Sequence, residues 1–430
     1  MRTERPSVAV VGTGVAGLTA AHLLDPGHEL TVFEAERRIG GHTNTIRVSD
    51  PRGEIWVDTG FIVHNDRNYP RFTALLDELG IDSQPAEMGM SICTSDGRFE
   101  FANTRRGLFA QRSNLLRPSF WALIRDQLRF NREVRPLAGR TDTPTVGEYL
   151  RDAGYSRWFC ERAIAPEISA VWSAGSDSIW DFPLGFFAEF LSNHGQLQLT
   201  GRPRWRTIPG GSRSYVERLV EGLEGRIRAG ARVRRIERLG DWVAVQAEGC
   251  ETEYFDDVVI ATHSDQALAM IADPSIAERE VLGAIPYQRN EAVLHTDASL
   301  MPRRRRAWAS WNFHLDGETE SHTAVTYWMN NLQRLDAERD YFVTLNAGDR
   351  IAAGAVIETI RYAHPGITPA SVAAQRRWGE ISGRGRTHYC GAYWGWGFHE
   401  DGCWSAHRAC APLLAPERLL APAAPLELAA

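Results

Sequence analysis

The stretch that most constrains how this chain can fold lies near its N-terminus, "VAVVGTGVAGLTAAHLL". A β-branched run, Val8 to Val11, breaks at Gly12-x-Gly14-x-x-Gly17 and continues as an Ala/Leu-rich helical pattern that stops at Asp25-Pro26-Gly27. A second strand pattern, "ELTVFE", then delivers Glu34 seventeen residues after Gly17. Each position has a physical reason. Gly12 permits a tight turn, Gly14 lets the backbone approach a pyrophosphate, and Gly17 lets helix and strand pack closely. The helix start at Val15 and Ala16 offers unpaired N–H groups and the positive end of a helix dipole, both of which favour an anion. Glu34 stands where a βαβ unit needs an acid to accept ribose hydroxyls. The unit reads as a dinucleotide-binding element of Rossmann type, with a ligand-free glycine turn as the alternative.

At 430 residues, 43% apolar and with a net charge of −6, the chain has material for two or three domains of an ordinary soluble protein. No uninterrupted apolar run reaches the roughly 20 residues that cross a bilayer. The start enters a strand pattern without a signal-like segment, so a cytoplasmic location is expected. Six Cys are scattered without CxxC pairs, which suits reduced thiols, and no metal is expected. All 48 basic residues are Arg. Without lysine, every Schiff-base or lysine-base mechanism is excluded. The acidic balance and the lack of a basic motif argue against nucleic acid.

The residues after the second strand separate NAD from FAD. "FEAERRIGGHTNT" carries Glu34, Ala35, Arg38, Gly40, Gly41 and His42, and "EIWVDTGFIVHN" carries Asp58-x-Gly60 followed by Phe61 and Ile62. On these residues the chain resembles the flavin-containing amine oxidase superfamily, which includes phytoene-desaturase-like and protoporphyrinogen-oxidase-like enzymes. The resemblance implies FAD, with the double glycine against its phosphates and ribityl chain and with Gly60, Phe61 and Ile62 beside the flavin ring. His42 stands where the family often has Arg. Within the superfamily, "VDTGFIVHN", "IPGGSRSYV", "AVLHTD", "AWASWN" and "CGAYWGWGFHEDG" resemble segments of bacterial FAD-binding oxidoreductases encoded beside cyclopropane-fatty-acid synthases. That closer likeness implies a lipid substrate and a functional partnership with a lipid methyltransferase or cyclopropane synthase.

The expected fold is α/β and α+β: a discontinuous, glutathione-reductase-like FAD domain of Rossmann type plus a substrate domain of helices covering a mixed sheet. The FAD domain is assembled from 1–65, 205–275 and 385–420, the substrate domain from 66–204 and 276–384, and 421–430 is a flexible tail. By resemblance Val233 lies beside the adenine. "YCGAYWGWGFHEDGCWSA" resembles the C-terminal FAD segment, in which Gly391 is a close-approach turn and Asp401, Gly402 and Cys403 begin a helix facing the flavin. Tyr393 takes the place of a ribityl-contacting acid in many relatives. A zinc reading of His399, Glu400 and Cys403 fits no standard ligand spacing.

Flavin chemistry needs no announced catalytic side chain, because the cofactor supplies the reactive atom. Candidate acid/base residues are His64, just past Asp-x-Gly, and His399 with Glu400. Tyr393, Trp394 and Trp396 are candidate substrate-pocket rings, with core packing as the alternative. Arg303, Arg304, Arg305 and Arg306 form either a solvated loop or a patch for peripheral contact with a membrane. The preferred expectation is an FAD-dependent oxidoreductase, a desaturase or oxidase acting on an acyl chain, with cyclopropane and methyl-branched chains among the candidates. Alternatives are a flavin amine oxidase, a redox-neutral flavin isomerase, and a non-catalytic flavin-binding partner of a lipid-modifying enzyme.

Overall fold

The run Val8 to Val11 has no polar position to offer solvent, and it becomes the middle strand of a parallel sheet. A computed structural model describes residues 5–104, 106–172, 179–198, 201–315 and 323–414; the 421–430 tail lies outside the described residues. Strand β1 (Ser7–Val11) leads through α1 (Val15–Leu24) to β2 (Glu29–Glu34). The sheet is completed by β3 (Ile227–Ala229), β4 (Asp257–Ile260) and β5 (Thr387–Tyr389), in the order β3-β2-β1-β4-β5, all parallel. Its strands therefore come from three stretches far apart in sequence, as a sheet buried on both faces allows.

Successive side chains of β1 serve opposite faces. Val8 and Val10 pack with Leu18, Ala21 and Leu24 of α1 and with Cys403, Ala406 and Cys410 of α2 (His399–Cys410). Ala9 and Val11 pack towards a three-stranded antiparallel sheet, Val233–Arg238, Val243–Ala247 and Thr252–Phe255. The two helices cross closely, since a Cβ on Gly402 would stand 2.5 Å from Val15 Cγ1.

A second body is built on a seven-stranded mixed sheet. Its order is Val356–Pro365, Tyr287–His295, Phe342–Leu345, Thr323–Trp328, Trp311–Leu315, Met90–Thr94 and Glu100–Ala102. Only Trp311–Leu315 with Met90–Thr94 is a parallel pair. Helices from the first insertion cover it. The helix Pro118–Val134 buries Phe120 and Leu123 against the sheet, while Phe130 and Val134 join Phe159, Ile168 and Phe187 in a helical core. Each such burial contributes about 1.5–3 kcal/mol, and truncating Phe130 to Ala would cost about 3–5 kcal/mol.

The 66–204 segment supplies helices and also two strands, Met90–Thr94 and Glu100–Ala102, because "SDGR" makes a hairpin turn with Gly97 at φ +67°. The fold class follows the expectation, with one difference in detail. The last helix begins at His399, two residues before Asp401. Asp401 is its third residue, and the Asp401 carboxylate reaches back to accept the Phe398 N–H at 2.8 Å.

Candidate active site

Between the two bodies lies a cavity of about 2290 Å³. That exceeds the roughly 300–1,000 Å³ of a typical small-ligand site. One end is the glycine turn. Gly12, at φ +104°, donates its N–H to Phe33 O at 2.8 Å, and a Cβ on Gly17 would stand only 1.9 Å from Gly12 O. A Cβ on Gly14, by contrast, would meet nothing within 4 Å, so this backbone is open to the cavity. Helix α1 starts at Gly14 with no side chain capping it, which leaves its first N–H groups for an anion.

The double-glycine loop lies over this turn. Gly41, at φ +57°, brings its Cβ position within 2.9 Å of Gly14 Cα, and Arg38 fixes the loop by donating to Gly41 O at 2.7 Å and Thr43 O at 2.9 Å. Gly40 lies beneath, its N–H 3.3 Å from the Thr13 hydroxyl. Glu34 accepts from the Thr13 N–H and hydroxyl and from the Glu36 N–H, and it lines the cavity beside Ala35. Sequence reasoning missed Thr13, the residue that ties this acid to the turn. Asp58, the acid of Asp-x-Gly, faces inward. It accepts from the Ser212 N–H and hydroxyl and from Gln333 Nε2, and burial raises its carboxyl to about 6.

Of the expected cofactor residues, Gly12, Gly14, Val15, Ala16, Glu34, Ala35, Arg38, Gly41, His42, Gly60, Phe61, Ile62, Val233, Gly391 and Tyr393 all line this cavity. Gly17, Gly40, Asp401, Gly402 and Cys403 stand behind its wall. Cys403 is buried against Thr19 at 3.6 Å, and burial pushes its thiol up. Burial likewise raises the Asp401 carboxyl to about 7.

The catalytic candidates separate. His399 lines the cavity with its ring stacked 3.5 Å from Phe61, and its Nε2 lies 3.0 Å from both Thr43 Oγ1 and Tyr215 OH. Burial lowers it to about 3, so the imidazole is neutral. Glu400 does not face the cavity. Its carboxylate accepts the N–H groups of Arg71 and Phe72 and so caps the helix Pro70–Leu79. His64 also lies outside the cavity lining, edge-on to Phe72, with both ring nitrogens buried and unpartnered among the described residues and its pKa lowered to about 4 by burial.

Trp394 and Trp396 correct the expectation of substrate-facing rings. Trp394 is 1% exposed within the core beside the parallel sheet, and Trp396 is buried in the helical core near Phe186. Large rings at "AYWGWG" fill the space where the last strand leaves the sheet, and only Tyr393 of the three reaches the cavity.

His42 sits in a cluster that the sequence did not reveal. Its ring stacks on Tyr362 at 4.9 Å, with His364 at 5.2 Å and His263 at 6.1 Å, all lining the cavity. Burial first, then the neighbouring imidazoles, holds His42 well below its ordinary value. It therefore supplies no positive charge where the family often has Arg. Its Nε2 is buried without a partner among the described residues and is free to pair with a bound group. One clue existed, since His263 follows the C-terminal end of β4, where ligands bind in open parallel sheets.

Met88, Ile92, Phe101, Leu123, Ile124 and Phe313, which belong to or pack on one core cluster of the second body, give the cavity an apolar arm, beside polar lining such as Gln127, Asn131 and Arg204. Arg162 and Glu167 also line it. Arg162 lies over the Trp158 ring and pairs with Glu161 at 3.2 Å, its Nε buried and without a partner among the described residues, and burial raises the Glu167 carboxyl to about 7.

An uncapped helix start, a glycine backbone open to the cavity and an acid-tipped second strand define a dinucleotide cradle, and its residues fit a flavin dinucleotide. A model of the family described as flavin-containing amine oxidoreductase matches residues 15–299, about two thirds of the chain. The chain belongs to that family, and its cofactor is FAD. An L-amino-acid oxidase of Siganus canaliculatus is 26% identical over 324 residues, covering 68% of this chain and 57% of its own length. The chain thus spans under three fifths of that relative. Among solved structures, cyclohexylamine oxidase from Brevibacterium oxydans IH-35A superposes with a TM-score of 0.69 at 16% identity, over 95% of this chain and 98% of that one. A CLA-producing fatty acid isomerase from P. acnes superposes with a TM-score of 0.67 at 14% identity, over 96% and 100%. These two likenesses speak for the fold.

Proposed function

We propose that the chain is an FAD-dependent oxidoreductase that removes or transfers a hydride on an apolar substrate of lipid or fatty-acyl class. The apolar arm of the cavity, walled by Ile92, Phe101, Leu123, Ile124 and Phe313, carries this reading. Bound FAD supplies the hydride acceptor or donor. The protein's part is to hold the cofactor on Gly14, Gly41 and Glu34, to exclude water with aromatic walls, and to position the chain. Arg162, whose guanidinium pairs with Glu161 at 3.2 Å and keeps its Nε without a partner among the described residues, would receive the acidic end of an acyl substrate through that Nε. His399, neutral and anchored by Thr43 and Tyr215, orients rather than carries charge.

Amine or amino-acid oxidation is the second reading, favoured by the L-amino-acid oxidase relative. Two observations weigh against it: the chain has no lysine to act as a base towards an amine, and of the three candidate pocket rings, Tyr393, Trp394 and Trp396, only Tyr393 lines the cavity, so a paired aromatic cage is not formed by them.

The test is anaerobic mixing of the holoprotein with fatty acyl chains and, separately, with a panel of amines and amino acids, following the visible flavin band. Bleaching by acyl chains alone is expected. Bleaching by amines and not by acyl chains would overturn the reading.

A further inference from the structure

Among the described residues ten large apolar side chains are exposed by a third or more. Leu239, Tyr254, Ile276, Val356 and Ile357 lie elsewhere in the chain, but the other five, Phe109, Leu115, Leu116, Trp121 and Leu128, fall within one segment of twenty residues, with Leu116 88% exposed. They are contiguous in space as well. The rings of Phe109 and Trp121 are 6.4 Å apart, and the Trp121 indole donates to Leu115 O at 3.0 Å. Leaving such a patch in water is unfavourable, which marks it as a contact surface.

Its composition says what it contacts. From Asn103 to Arg125 the sequence has five Arg and no Asp or Glu, in a chain whose net charge is −6. Of these, Arg106, Arg112 and Arg125 are exposed around the apolar centre, with Arg125 paired to Asp126. The loop Arg303–Arg306 adjoins the same face: Arg304 pairs with Glu100 at 3.0 Å, and Glu100 O accepts from Asn114. Apolar tips ringed by Arg match a surface of acyl chains beneath anionic headgroups.

The helix Pro118–Val134 joins this surface to the cavity. Trp121, Arg125, Leu128 and Arg132 recur at helical spacing on its outer side, while Ile124, Gln127, Leu128 and Asn131 line the cavity. Leu128 belongs to both stripes, so the helix forms a lip of the cavity. We propose that Phe109 to Leu128 is a membrane-docking face that seats the cavity mouth on an anionic phospholipid surface. The purpose rests on the proposed acyl substrate, but docking requires no turnover and is measured separately from it.

The holoprotein is floated with phosphatidylglycerol vesicles and with phosphatidylcholine vesicles at low and high salt. Binding at least tenfold stronger to phosphatidylglycerol at low salt is expected. The double variant Leu116→Glu/Trp121→Glu should lose at least tenfold of that binding while keeping its bound flavin and melting temperature. Arg112→Gln should weaken it about fivefold on phosphatidylglycerol only. Absence of binding to either vesicle, or undiminished binding of the double variant, overturns the proposal. So does a concentration-dependent dimer that the double variant abolishes in a protein that ignores vesicles, since the patch is then a contact between two copies. Vesicle binding without flavin bleaching by acyl chains would leave the docking face intact and sink the substrate reading instead.

Discussion

The carboxylate of Glu400 accepts the backbone N–H of Phe72 at 3.0 Å, joining the last helix to one 328 residues earlier in the chain. Burial raises this carboxyl to about 8, against the opposing pull of the Phe72 and Arg71 N–H groups. An unfolded glutamate releases its proton near 4.5, whereas the folded one keeps it to about 8. The folded state therefore binds more protons in that window, and stability falls as pH rises through it. Melting temperatures of the holoprotein at pH 5 and pH 8 should differ more for the natural chain than for Glu400→Gln, which keeps the shape without the charge. Identical differences in the two proteins would contradict this.

Gly14 and Gly17 are separable. A methyl at Gly17 collides with Gly12 O, so Gly17→Ala should lower the stability of the apoprotein by more than about 2 kcal/mol. A methyl at Gly14 meets no atom of the described residues within 4 Å. Gly14→Ala should fold normally, as read by circular dichroism and melting, yet retain at least tenfold less flavin, because the methyl occupies the pyrophosphate's space. Full flavin content in Gly14→Ala would place the phosphates elsewhere.

Trp394→Ala should cost about 3–5 kcal/mol in denaturant unfolding, because the indole is packed in the core. At a temperature where the variant is folded, its preference among substrates should match that of the natural chain. A changed preference with unchanged stability would return this ring to the substrate site.

Glu167 should report itself in ligand affinity. Its carboxyl, raised to about 7 by burial, is neutral below that pH and repels an acidic ligand above it. The affinity of the holoprotein for a fatty acid should fall above pH 7 and stay flat in Glu167→Gln. His399, at about 3, adds no inflection between pH 5 and 9. A fall that survives in Glu167→Gln would point to a different titrating group.

The fold was legible wherever local rules govern it. Val8–Val11, the three glycines and Glu34 carry their geometry in adjacent residues, and a β-branched run before a glycine turn has few alternatives. The side chains around the cavity were less legible, because their roles depend on partners hundreds of residues away. Glu400 looks like an acid beside a flavin until Arg71 and Phe72 are seen to need a cap. Trp394 looks like a cage wall until the packing beside β5 claims it. His42, His263, Tyr362 and His364 meet only because the long strand Val356–Pro365 passes the glycine loop.

The central claim is that the apolar arm receives an acyl chain, and it is tested most directly by the dissociation constants of a homologous series of saturated fatty acids, read by perturbation of the flavin spectrum in the oxidised holoprotein. Burying each CH₂ contributes about 0.8 kcal/mol, so affinity should rise roughly fourfold per added carbon until the arm is full and then level off. An affinity independent of chain length, alongside tight binding of short amines, would contradict the account.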